Sequence, residues 1–359
     1  MKYWLLIVLA CHTFNLNAQD ESFSVLFVNP SVKGEPFWDK VQSIVTVAAQ
    51  QNNIDLDVIY GEGNRYIQLA ELKKYLQYRA TPDYVVLLNY PGGAEQSMNL
   101  LEQYRVKFLT LEQTIIGEER SAIGDPQQRY KYWLGEIYHD NFVAGKKLAK
   151  TLLSYAQEQK ISPQVIAING HYGSESDARS DGLKSYLTDN KLTLQQTVYA
   201  GWSKPEAMQK THKLIQRYPQ TNIIWSASDL MALGAYSAVK NTVQKKYIIG
   251  GFDWLNDNLR LIKQEKITAS VGGHFMMGGW ALITLVDLQS GIDYWQKHTA
   301  IEIDLDVITT KNIAQYEHLI SVQDWSFIDF SRYRLQNEEN VGYQFSVKSL
   351  RKDQLALPN

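Results

Sequence analysis

Five polar residues stand where apolar runs break off into loops: Asn89, Glu112, Arg179, Ser228 and Asp253, with Trp38 and Trp202 beside them. Amide, carboxylate and guanidinium groups hydrogen-bond neutral hydroxyls, often in bidentate fashion. Indole faces cover the C–H faces of a sugar ring. A hydroxyl-rich ligand needs both kinds of contact. Each residue also has a purely structural reading. Asp229, beside Ser228, reads as a helix cap, and Asp253 could cap the helix after Trp254. Asn89 could be an ordinary turn asparagine, and Glu112 could simply face solvent. Arg179 is harder to explain that way, because an arginine in the first turn of a helix opposes the helix dipole and so calls for a partner beyond the helix.

Catalytic signatures are absent from the sequence: there is no P-loop, no G-x-S-x-G elbow and no H-E-x-x-H. Gly61-Glu62-Gly63 follows a strand but lacks the third glycine of a dinucleotide fingerprint. His171 and His274 have no cysteine or histidine at metal spacing, so neither a metal nor a cofactor is expected.

The elements that position these groups alternate along the chain. Phe23–Asn29, Ile54–Tyr60, Asp83–Asn89 and Val106–Leu111 read as strands, separated by helices beginning at Phe37, at Tyr66 and after Gly93. Phe37 and Trp38 fall in the first turn of the first helix, one expected in the core and the other at the mouth of the sheet. Residues 114–130 read as irregular, and Trp133–Tyr138 as a strand. A second series follows. It comprises strands at Gln164–Asn169, Leu194–Tyr199, Asn222–Ser226, Tyr247–Phe252, Ile267–Val271 and Ile301–Ile308, and helices at Asp177–Asp189, Lys204–Arg217, Leu255–Gln264 and Phe275–Leu288. The helix after Ser226 is capped by Ser228 or Asp229. This order implies an α/β fold of two doubly wound parallel-sheet lobes, with ligand sites at the C-terminal strand ends.

Composition sets the outer limits. The 359 residues are 45% hydrophobic and 21% charged, with a net charge of −2. That balance suits a two-domain globular protein and points away from nucleic acid. Met1-Lys2, the apolar run Tyr3–Ala10 and a polar stretch to Asp20 read as an export signal cleaved after Ala18. Val8-Leu9-Ala10-Cys11 offers the alternative of a lipid anchor on Cys11, the single cysteine.

Four stretches carry a resemblance: Glu35-Pro36-Phe37-Trp38, Asp177-Ala178-Arg179-Ser180-Asp181-Gly182, Ser228-Asp229-Leu230-Met231-Ala232-Leu233-Gly234-Ala235 and Gly250-Gly251-Phe252-Asp253. In order and spacing the chain resembles the type I periplasmic binding proteins of the ribose and galactose class. The resemblance implies two lobes joined by three crossovers and closing on a ligand. It implies that Phe37 or Trp38 stacks on a sugar, that Trp202 supplies a second face, that Arg179 donates to hydroxyls and that Asp253 accepts. The chain departs from the pattern at three places. Ser228 replaces the usual asparagine, Glu112-Gln113 replaces an Asp-Arg pair, and the glutamine expected near the last crossover is missing, with His274 its candidate replacement.

The expected organisation is a signal at 1–18, a first lobe of 22–138 plus 270–298, a second of 139–269 plus 299–325, and an extension at 326–359. The expected function is periplasmic binding of a sugar or sugar-like polyol by a monomer that hands it to an ABC-type permease. A membrane sensor protein is the alternative partner. The rival class is an exported enzyme on a small polar substrate. An export signal in place of a DNA-binding headpiece excludes a repressor.

Overall fold

The computed structural model describes residues 22–351, except 174, 243–244, 323 and 336–341. The signal segment, the cleavage site and Cys11 lie outside the described residues. The first lobe begins β1 (Ser24–Asn29), α1 (Pro36–Gln51), β2 (Asp55–Tyr60), α2 (Arg65–Tyr78), β3 (Tyr84–Leu87), α3 (Ala94–Tyr104), β4 (Lys107–Glu112), α4 (Gly117–Ile123) and β5 (Trp133–Tyr138). The second runs α5 (Asn141–Glu158), β6 (Val165–Asn169), α6 (Glu175–Asp189), β7 (Leu194–Tyr199), α7 (Lys204–Arg217), β8 (Ile223–Ser226), α8 (Asp229–Val239), β9 (Ile248–Phe252), α9 (Asn256–Lys263) and β10 (Ala269–Gly272). Then come α10 (Met277–Gln289), β11 (Ala300–Glu302) and β12 (Asp306–Thr309).

The two sheets repeat one another. The first has the order β2-β1-β3-β4-β5-β11 and the second β7-β6-β8-β9-β10-β12. All pairings are parallel except β10 with β12. Strand β1 explains why its sequence is apolar throughout. Val25 and Phe27 pack with Val41 and Ile44 of α1, while Leu26 and Val28 pack with Leu72 of α2 and Met98 of α3. A strand covered by helices on both faces has no polar side to show.

The stretch expected to form one strand, Ile301–Ile308, is two. Strand β11 pairs with β5 in the first sheet and β12 with β10 in the second, so Ile303-Asp304-Leu305 crosses between lobes. The other crossings lie at His139-Asp140, after β5, and at Gly273–Met276, between β10 of the second sheet and α10, which packs on α1. The sheets therefore place residues 270–272 with the second lobe and 300–302 with the first, the reverse of the expected boundaries at 270 and 299. Residues 114–130 contain the short helix α4 where an irregular stretch was expected.

The segment after Thr309 is not a detached extension. Ile313–Ile320 packs on α9. The Gln51 side chain then clasps the chain further on. Its Nε2 donates to the Ile328 carbonyl (2.7 Å) and its Oε1 accepts from the Phe330 N–H (3.0 Å). Phe345 stacks on Trp280 of α10, with ring centroids 5.0 Å apart. Val347 sits against the crossing, where any Cβ at Gly273 would run into it. Arg351 returns to the second lobe, pairing with Asp306 at 3.3 Å.

Candidate functional site

The C-terminal ends of both sheets face one cavity of about 500 Å³. The first lobe lines it with Glu35, Phe37 and Trp38 from the turn into α1, Arg65 and Tyr66 at the start of α2, Tyr90 after β3, and Glu112 and Gln113 at the end of β4. From the second lobe come His171, Tyr172, Glu175, Arg179, Trp202, Ser228, Leu230 and Asp253, and from a crossing, His274. Three of these adopt backbone conformations that side chains rarely take: φ is 79° at Glu112, 61° at Trp202 and 107° at Asp253. Such strain at strand ends, converging on one space, is a mark of a functional site.

Arg179 is built in from behind. Helices α5 and α6 touch backbone to backbone, because a Cβ at Gly145 would overlap the Arg179 carbonyl and one at Gly182 would overlap that of Phe142. This contact sets the guanidinium beside the start of α5. Its Nε donates to Asn141 Oδ1 (2.7 Å) and its Nη1 to the Ala227 carbonyl (2.9 Å). Its Nη2 lies 3.3 Å from His139 Nε2 and 3.5 Å from Glu112 Oε1 on the opposite lobe. The group stacks over Phe252, 4.7 Å from the ring centroid. Helix α6 starts at Glu175, two residues before the expected start, so Arg179 lies in its second turn rather than in its first. Its partners, rather than the helix dipole, explain its place.

Asp253 and its surroundings are held by Asp229. That carboxylate accepts from the Leu255 N–H (2.8 Å), Asn258 Nδ2 (2.5 Å) and the Ser270 hydroxyl (2.9 Å), tying together the segments that follow β8 and β9 and strand β10. The cap of α8 is Ser228, whose Oγ accepts from the Met231 N–H. Asp229 is thus a buried hub and not a cap. Nor does Asp253 cap α9, whose N-cap residue is Leu255. Its Oδ1 instead lies 3.3 Å from His274 Nε2, which is also 3.7 Å from Glu112 Oε1. Burial raises Glu112 to about 8 and Asp253 to about 7, in both cases against the pull of Arg179. Burial, with the positive charge of Arg179 nearby, holds His274 and His139 neutral, well below the usual histidine range.

Aromatic faces flank this polar end. The Phe37 ring lies 4.6 Å from His274 and 5.3 Å edge-on from Trp38, so both aromatics reach the cavity although Phe37 also joins the core. Trp202 lies across Gly170, leaving no room there for a side chain. Behind the site, Lys40 of α1 donates to the Trp254 carbonyl (2.6 Å) of the other lobe and lies over the Phe275 ring. Burial lowers its pKa to about 8.

Of the residues singled out in the sequence, Phe37, Trp38, Glu112, Arg179, Trp202, Ser228, Asp253 and His274 all line the cavity. Asn89 does not. It is buried beside the cavity with both ends of its amide unpartnered, while its carbonyl accepts from Gln113 Nε2 (3.2 Å). Glu35 and Glu175 were missed, having been read as loop. Glu35 had a signal, an acidic residue directly before a proline that opens a helix; it caps α1 by accepting from the Trp38 N–H (2.8 Å). Among the described residues no group of histidine, cysteine, aspartate or glutamate side chains could hold a metal ion, and no helix is long and apolar enough to cross a membrane.

Residues 25–292 match the periplasmic binding protein domain family. The chain belongs to that family. It is a binding protein of the type I fold, not an enzyme. This binding protein is 28% identical over 178 residues to the ribose import binding protein of Haemophilus influenzae, 49% of this chain and 59% of that one. It therefore spans less than two thirds of that relative. It is 20% identical over 260 residues to the ribose import binding protein of Salmonella typhimurium, covering 72% of this chain and 81% of that one. Among solved structures, a periplasmic sugar-binding protein from Pseudomonas fluorescens superposes with a TM-score of 0.77 at 26% identity, over 87% of this chain and 94% of that one. A solute-binding protein of an ABC transporter from Actinobacillus succinogenes, with bound D-allose, gives 0.71 at 17% identity, over 82% and 100% of the two chains. At that identity the likeness speaks for the fold alone.

Proposed function

We propose that this protein binds a sugar or sugar-like polyol between its lobes in the periplasm and, as a monomer, delivers it to an ABC-type permease. One observation carries the reading. Glu112 of the first lobe meets Arg179, Asp253 and His274 in a single cavity, with indole faces from Trp38 and Trp202 on either side. In this reading Glu112 and Asp253 accept from ligand hydroxyls, Arg179 and Ser228 donate, and the indoles cover the ring. Contacts from both lobes exist together only when the lobes close, so ligand shifts the population toward the closed form that a membrane partner recognises. The names of the relatives, ribose import binding proteins and a D-allose-binding periplasmic protein, support a sugar and its import. The C-terminal segment packs against α10 and a crossing and favours neither a permease nor a sensor partner.

A thermal-shift screen of sugars and polyols tests the reading. A true ligand raises the melting temperature progressively with its concentration above the dissociation constant. A panel in which no sugar or polyol moves the transition contradicts it.

A further inference from the structure

The cavity is short of positive charge. Four carboxylates line it, Glu35 and Glu112 from the first lobe and Glu175 and Asp253 from the second. Among the described residues Arg179 is the one buried cation in the lining; it already gives three of its nitrogens to Asn141, the Ala227 carbonyl and His139, and stands 3.5 Å from Glu112. Arg65 lies at the exposed rim and donates to the Pro91 carbonyl and to the Tyr66 hydroxyl (both 2.9 Å). Lys40 is turned away behind the site onto the Trp254 carbonyl. His274 is 1% exposed, faces two carboxylates through Nε2, and leaves Nδ1 without a hydrogen-bond partner among the described residues. Gln113 brings no charge to the place next to Glu112.

We propose that the ligand is a cationic sugar or polyol, an amino sugar or amine-bearing polyol whose ammonium group sits among Glu112, Glu175 and Asp253. The proposal rests on the sugar-binding reading above and narrows it. An ionised carboxylate only accepts hydrogen bonds, whereas an ammonium group brings three donors and the missing charge. A neutral polyol supplies donors but no charge, so with it in place these buried carboxyls either hold their protons or ionise at a desolvation cost that an ammonium group offsets. Burial, against the pull of Arg179, raises Glu112 to about 8, burial, against the Trp38 N–H, raises Glu35 to about 7, and burial raises Glu175 even with Arg179 nearby, so at pH 7 a bound ammonium group would draw protons off these carboxyls.

The test uses matched probes on the unmodified protein at pH 7 by calorimetry: D-glucosamine, D-galactosamine and 2-amino-2-deoxyribose, each against its neutral parent and its N-acetyl form. The expected result is that at least one amine binds more than tenfold tighter than both of its neutral partners. The preference should shrink at least fivefold in Glu112→Gln or Glu175→Gln. If the neutral parents bind as well as or better than the amines, the charge inference falls while the sugar reading stands. If neither amines nor neutral sugars and polyols bind, the sugar reading falls and takes this one with it. A preference for amines that persists unchanged in both glutamine variants overturns the placement of the ammonium group.

Discussion

The two lobes share a strand order but not a style of packing. In the second lobe, glycines bring helices together backbone to backbone, whereas Gly278 and Gly279 of α10 meet side chains of α1. Gly145 and Gly182 let α5 and α6 touch, and Gly234 lets α8 approach the start of α7. Helix α8 buries seven of its residues, Asp229 among them, whereas α2 of the first lobe buries only Gln68, Leu72 and Leu76. The polar groups follow the same division. Arg179 and Asp253 are fixed from behind by Asn141, the Ala227 carbonyl and the Asp229 hub, while the first lobe contributes rings and the Glu35 and Glu112 carboxylates. The second lobe is the preorganised half of the site, and the first lobe is the cover that completes it. Preorganised groups lose less on binding than groups that must first be ordered.

The largest effect expected from this division comes from Arg179→Ala. It removes a ligand donor and leaves Asn141 and the Ala227 carbonyl without their partner, so affinity should fall about 100-fold, roughly 3 kcal/mol. Calorimetry with the screened ligand reads it, and an unchanged affinity removes Arg179 from the site. Gly145→Ala comes next. A Cβ there forces α5 and α6 apart beneath Arg179, so stability should fall by about 1–3 kcal/mol and affinity with it, although position 145 is outside the cavity lining. Affinity that survives the substitution would mean that the second lobe does not hold Arg179 in the way described. Trp38→Ala and Trp202→Ala should each weaken binding by about 1 kcal/mol through lost stacking. A variant that binds as well as the unmodified protein eliminates its face.

The remaining effect is on pH dependence. Glu112 has its folded pKa raised from 4.5 to about 8, so its contribution to stability is fully present below pH 4.5 and is lost as pH rises through 8. His139 and His274 are lowered below 6.5 and act with the opposite sign only beneath that value. Lys40, lowered to about 8, acts with the opposite sign only above it. Between pH 6.5 and 8 the unliganded protein should therefore lose stability as pH rises, by at most about 1.4 kcal/mol per pH unit for one group. Thermal melts across this window should slope less in Glu112→Gln, and parallel slopes would contradict the assignment.

Most of the architecture was legible because parallel strands buried on both faces are written as unbroken apolar runs, as in Phe23–Asn29. The strand ends and the family resemblance then picked out eight residues of the lining. What escaped depended on contacts remote in sequence. Nothing local in Ile301–Ile308 says that its two halves join different sheets. The C-terminal segment has no period of its own, and its anchors Phe330 and Phe345 are defined by α10, where Gly279 lies beneath the Phe330 ring and Trp280 stacks on Phe345. Asn89 was expected to end a strand, but β3 stops at Leu87 and the Asn89 side chain is buried beside the cavity. Glu175 was read as loop, which also placed Arg179 two residues too near the start of its helix.

A crystal structure of the protein with the tightest ligand from the screen tests the account most directly. The ligand should lie in the cavity between the lobes, within hydrogen-bond distance of Glu112, Arg179 and Asp253, with the Trp38 or Trp202 indole against its ring. A ligand held by one lobe alone, or bound anywhere that leaves all three of those groups untouched, would contradict it.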